Sequence, residues 1–161
     1  MIEPLIFAMN HTRNATLKLV ADLNDQQMVA QPAPGTNHPA WVLGHLLQVD
    51  YRLLNLLGGP APEVDEQWRQ TYGGKSTPVA DASKYKPKQF YVERLAATRE
   101  KIIARLRAMK PEDFQQPTPD PAMRERFPTI GHVAMVLGTW HEAYHAGQLS
   151  TWRRVQGLPA V

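Results

Sequence analysis

Four stretches of this chain repeat apolar residues with the 3.6-residue period of an amphipathic helix, and every proline-dense stretch falls between them. No segment alternates β-branched residues over two positions, so strands have nothing to build on and the chain is expected to be all-α. In the first stretch Leu5, Ile6, Met9, Thr16, Val20 and Leu23 share a face that stops before the run AQPAPGTNHPA. The second begins near Asn37 or His38, with an Asn cap and Pro39 in the first turn, and runs to a Gly58-Gly59 stop. The third starts near Pro87, carries Tyr91, Leu95, Thr98, Ile102, Leu106 and Met109 on one side, and ends at Pro111. The fourth runs from Thr129 to the Gly157-Leu158-Pro159 end, about 28 residues or ~42 Å.

Four amphipathic helices imply a bundle, here a single domain over residues 1–161. The connection over residues 58–86 is far longer than the ~2–8 residues usual between antiparallel neighbours. A crossover of that length lets helices two and three run in the same direction. It carries Trp68 and Tyr72 and is open to three readings: a lid, a docked structural loop or a dimer contact.

The stretch GTWHEAYHAGQL holds His141-Glu142-Ala143-Tyr144-His145, which fits H-E-x-x-H, the helix-borne zinc motif of metalloproteases. The rest of the chain argues against a protease. After Glu142 there is no acid, and His145 is the only histidine. In the extended metzincin pattern Thr151 stands where the third histidine belongs, and Gly147 comes one place early. No strand is expected that would align a peptide.

On a regular helix at about 100° per residue, Ala134, Leu137, Gly138, His141, His145, Gln148, Trp152 and Val155 form one stripe that faces the bundle. The same projection turns His45 of the second helix inward, with Trp41, Gln48 and Arg52 flanking it. His38 shares that direction but lies ~10 Å along the axis and is read as a helix-start residue. His132 points away and His11 is off the apolar face. Neutral imidazoles crowded into an apolar core lack partners, whereas one divalent ion satisfies three at ~2.0–2.1 Å. His45, His141 and His145 are therefore the expected metal ligands. Glu142 and Gln148 are the candidates for chemistry beside the ion. Gln148 is placed to accept a ring N–H; Glu142 either reaches a water at the metal or is a solvated or surface-paired carboxylate. Arg52 is available to an anionic substrate group, with Trp41 and Gln48 lining the pocket. Three imidazoles suit zinc or nickel, with iron a third candidate.

Composition narrows the function classes. A net charge of +3, with the basic residues scattered, offers no nucleic-acid footprint, and Arg153-Arg154 reads as a helix end complementing its own dipole. There is no cysteine, so any thiol chemistry needs a small-molecule thiol. No leader and no membrane-length apolar run is found, so a cytoplasmic protein is expected.

The segments HPAWVLGHLLQVDYRLLNLLG and GHVAMVLGTWHEAYHAGQLSTWRRVQGLP, in this order and separation, resemble the DinB-like (damage-inducible) family over nearly the whole chain. The resemblance implies an up-down-down-up four-helix bundle, a divalent ion on His45, His141 and His145, and a homodimer. Some relatives are thiol-dependent transferases and others are regarded as metal-dependent hydrolases. The expected function is thus a metal-dependent enzyme of thiol S-transferase or hydrolase type on a small molecule. The alternative is a non-catalytic metal-binding or stress-response module.

Overall fold

The computed structural model describes residues 2–161. Among them no strand forms; one isolated bridge joins Pro117 and Thr129. Four long helical rods dominate. They are α1 (Ile2–Lys18), α3 (Pro39–Leu56), α5 (Lys88–Ala108), and a continuous rod made of α7 (Ile130–Met135), a π-helical turn (Val136–Trp140) and α8 (His141–Val155). Short helices punctuate the connections: α2 (Asp25–Met28), α4 (Glu66–Tyr72) and α6 (Pro121–Arg124).

The local chemistry of α3 explains its ends. His38, rather than Asn37, is the N-cap: its ring accepts the Trp41 N–H at 3.2 Å and reaches the Val79 carbonyl at 3.1 Å. Pro39 follows in the first turn, where its missing N–H costs nothing. Gly58, at φ +73°, closes the helix in the left-handed region that glycine adopts without penalty. The first helix is shorter than its apolar stripe suggests. It stops at Lys18, and Val20 and Leu23 reach the core from the turn that follows.

The rods bury two apolar clusters. One gathers Leu43, Leu46, Leu47, Tyr91, Leu95, Leu149 and Trp152; the other gathers Ile6, Met9, Leu53, Leu54, Ile102, Ile130 and Val133. Between them, one charged residue from each rod meets in the interior: Arg13, Asp50, Arg99 and Glu142. The fourth rod is also clamped near its end. Arg153, 1 % exposed, forks onto Asp22 at 2.6 and 2.9 Å and donates to the Leu19 and Pro159 carbonyls. Arg153 and Arg154 both stand in the last turn of α8, as the dipole reading expects, but Arg153 is also a tertiary tie between α8 and the turn after α1, while Arg154 is exposed.

The 58–86 connection is docked. Trp68 packs on the first cluster, and Tyr72 is buried with its hydroxyl 2.5 Å from that of Tyr91. Its ring lies flat on α3 where Gly44 leaves room: a Cβ at Gly44 would sit 2.2 Å from Tyr72 Cδ1 and Cε1. Gly44→Ala is therefore expected to lever the connection off α3 and to cost about 1–3 kcal/mol, the usual penalty of overpacking. Denaturant unfolding of the variant against wild type measures it, and an unchanged midpoint would show that the connection does not rest on α3.

Candidate metal centre

His45 comes from the middle of α3, and His141 and His145 from the first two turns of α8. Their ligand-capable nitrogens lie within 4.8 Å of one another, and His45 Nε2 is 3.3 Å from His141 Nε2. His45 and His145 are buried and His141 is partly exposed, so the cluster sits under the surface with one side reachable.

The hydrogen bonds around the rings fix which nitrogen each presents. His45 Nδ1 is 2.7 Å from the Tyr72 carbonyl, which only accepts, so Nδ1 carries the proton and the neutral ring keeps its Nε2 lone pair. His145 Nδ1 donates in the same way to Gln148 Oε1 at 2.9 Å, and that oxygen is oriented by Asn37 Nδ2 at 3.0 Å. Trp41 stacks on the His45 ring at 4.9 Å and 5°, and its own N–H is held by Ser76 Oγ at 2.8 Å. The His45 Nε2 lone pair thus faces His141 Nε2, a His145 nitrogen lies within 4.8 Å of both rings, and His141 Nδ1 is buried without a partner. A proton on His141 Nε2 can serve the His45 lone pair but leaves that of His145 without a partner. A cation at the centre would take one lone pair from each of the three rings, so the donor set fits a divalent ion.

Burial also keeps the rings neutral, so that each retains a lone pair for a ligand. It pushes His145 and His141 down to about 4, in His141 with help from the neighbouring imidazoles, and it lowers His45. His38, held away from the cluster, is likewise pushed down to about 4 by burial.

Gln148 stands where the sequence placed it, accepting a ring N–H. Glu142 does not. It is 1 % exposed, and its oxygens accept from Arg13 Nε at 2.6 Å, Arg13 Nη2 at 3.2 Å and Arg99 Nη2 at 2.7 Å. The expectation of a solvated or surface-paired carboxylate is corrected: Glu142 is buried in the interior and paired there with two guanidinium groups. The buried stripe of α8 runs through Glu142, His145, Leu149, Trp152 and Arg153, so the histidines sit near its edge and Val155, placed inward by the helical projection, is 62 % exposed. His132 and His11 are exposed, as expected.

Sequence reasoning missed Asn37, the Tyr72 carbonyl and the charged residues behind Glu142. The last left a signal: Arg13 and Arg99 fall within the apolar stripes of α1 and α5, between Met9 and Thr16 and between Leu95 and Ile102.

A family model described as the DinB superfamily matches residues 8–149. Among solved structures, the chain is similar to the crystal structure of a conserved protein from Enterococcus faecalis, with a TM-score of 0.73 at 17% identity over 96% of each chain. That likeness supports the fold alone. No curated protein matches significantly.

The depressed histidines make stability depend on pH. Unfolded histidine titrates near 6.5, above the folded values, so the unfolded chain binds protons that the folded one refuses. This contribution is fully present above about pH 6.5 and is lost as pH falls toward 4. The metal-free protein is expected to melt at steadily lower temperature across that window. A melting temperature that is flat from pH 6.5 to 4 would contradict neutral burial of these rings.

Proposed function

The chain belongs to the DinB superfamily, and from that premise we propose that it is a metal-dependent enzyme acting on a small molecule, with His45, His141 and His145 as the ligands of one divalent ion. The observation that carries the proposal is the fixed tautomer pair in a close cluster: Tyr72 and Gln148 each take an Nδ1 proton, which leaves the Nε2 lone pairs of His45 and His145 free in a group of three imidazoles whose ligand atoms lie within 4.8 Å of one another. Three ligands among the described residues, rather than four, favour a catalytic over a structural site. An ion so held supplies Lewis acidity, which makes an attacking water or thiol a better nucleophile near neutral pH. Zinc or nickel suits three imidazoles, with iron the third choice.

The chain's own residues would do the rest. Gln148 and the Tyr72 carbonyl hold the ring orientations, and Trp41 keeps the His45 plane from tilting. One turn along α3 from His45 opens a cavity of about 600 Å³, lined by Gln48, Tyr51, Arg52, Asn55, Glu63 and Arg69 among others, a size suited to a small molecule. Gln48 Oε1 has no protein partner. The ion pairs of Arg52 and Arg69 are with exposed acids, Asp120 at 3.6 Å and Glu66 at 3.7 Å, Arg52 also donating to the Met123 sulfur, and ion pairs of this kind hold by roughly 0–1 kcal/mol. Either guanidinium can turn to an anionic substrate group at little cost.

The up-down-down-up order belongs to the same reading. It is supported by the sequence in which the rods meet the two apolar clusters: α1 and the fourth rod meet the Met9 cluster first, α3 and α5 the Leu47 cluster first. So do a cytoplasmic setting, in keeping with the absence, among the described residues, of any helix long and apolar enough to cross a membrane, and a homodimer, for which Trp140, Tyr144 and Val155 offer exposed apolar side chains on one rod.

Metal analysis of tag-free protein should find about one ion per chain, lost in His45→Ala, His141→Ala and His145→Ala. Gln148→Leu should bind about 10- to 100-fold more weakly. Near-zero metal in both wild type and His141→Ala would end the reading. With metal bound, thiol conjugation to monochlorobimane and hydrolysis of an ester panel separate the transferase from the hydrolase. A loaded protein with a fourth protein ligand and neither activity would favour the non-catalytic binding module.

A further inference from the structure

The π turn immediately before His141 solves a problem of phase. In α7 the buried residues are Ile130, Val133 and Ala134; in α8 they are Glu142, His145, Leu149, Trp152 and Arg153. Projected on an uninterrupted α-helix at about 100° per residue, the centres of these two sets lie roughly 100° apart. A straight rod could press only one of them into the bundle. The turn over Val136–Trp140 takes up one extra residue and so retards the rotation by about 100°, which brings both faces onto the core.

Two contacts hold this turn. At Gly138 the rod meets α1 so closely that a Cβ would stand 2.8 Å from Met9 Cε and 3.1 Å from its sulfur. Arg99 of α5 donates from Nη1 to the Gly138 carbonyl at 3.2 Å and to the Met9 carbonyl at 3.4 Å, and from Nη2 to Glu142 at 2.7 Å. One guanidinium thus spans the π turn and the residue that follows His141. Arg13 grips the same carboxylate from α1 and is itself paired with Asp50 on α3.

We propose that the π turn, with Arg99 bridging Gly138 and Glu142, is a positioning device that sets the rotation of α8 so that His141 and His145 face His45. Glu142 is a positioning residue in this scheme and takes no part in proton transfer. The inference rests on the reading of the three imidazoles as metal ligands.

Three variants test it: deletion of Thr139, which removes the extra residue; Thr139→Ala, which keeps the residue count; and Arg99→Lys, which keeps the charge but not the fork. Each is titrated with Co(II) and Zn(II) against a chromophoric chelator, its visible Co(II) spectrum is recorded at saturation, and its metal-free melting is followed in parallel. The deletion and Arg99→Lys should bind at least tenfold more weakly, with an altered Co(II) spectrum even when saturated. Thr139→Ala should stay within twofold of wild type. Arg99→Lys with wild-type affinity and spectrum, whatever its melting temperature, would overturn the proposal, as would a folded deletion variant with wild-type affinity. Should the deletion fail to fold, Arg99→Lys decides. Wild-type protein that takes up neither ion would remove the metal reading itself and the positioning role with it, whereas normal wild-type binding beside an unaltered Arg99→Lys removes the positioning role alone.

Discussion

Four charges buried between two apolar clusters hold the molecule in register. Arg13, Asp50, Arg99 and Glu142 come one from each long rod, and two positive and two negative groups leave no net charge in the interior. Burial opposes the charge on Arg13, yet the adjacent Asp50 and Glu142 carboxylates more than offset it and hold the guanidinium above its ordinary pKa, whereas in Arg99 burial prevails and lowers it. Such a group adds little net stability compared with apolar packing, but removing one member strands its partner at a cost of about 3–5 kcal/mol. An apolar interface tolerates a rod that slides or turns; this one does not, because a shift leaves a charge unpaired in the core.

That constraint reaches the histidines through the chain itself. Glu142 follows His141 directly, and Asp50 lies little more than one turn beyond His45 on α3. Fixing the two carboxylates on shared guanidinium groups therefore fixes the relative height and rotation of the helices that carry the rings. The remaining freedom, rotation of each ring about its own bonds, is removed by separate partners: the Tyr72 carbonyl and Trp41 for His45, and Gln148 with Asn37 behind it for His145. His141 has no such partner on Nδ1 and is the ring most exposed to solvent. Of the three, it has the most freedom to adjust.

The long helices, the all-α class and the three histidines were legible in the sequence because they depend on local periodicity and on residue type. The rotation of α8 was not. A regular projection carried from Ala134 to Val155 puts Val155 inside and Glu142 aside, and the structure reverses both. The π turn breaks the regular period, and nothing in VLGTW announces it beyond the glycine that lets α1 approach. The ionic layer was half visible. Arg13 and Arg99 interrupt apolar stripes, but which acids answer them depends on contacts 37 to 129 residues distant in sequence. The docking of the 58–86 connection was hidden for a similar reason, since Tyr72 serves His45 through its carbonyl, a group every residue carries.

The pentapeptide HEAYH shows how far a motif depends on what surrounds it. In a metalloprotease the glutamate between two ligands must stay near solvent to take a proton from water. Here the same i, i+4 spacing gives two imidazoles at the edge of a buried stripe, and the intervening carboxylate falls toward the stripe's centre, where two guanidinium groups from other helices claim its oxygens. Moving the helix face by less than one residue's rotation exchanges a base for an anchor. Spacing alone therefore identifies the ligand pair, and the role of the residue between them is set by the charge it meets across the bundle.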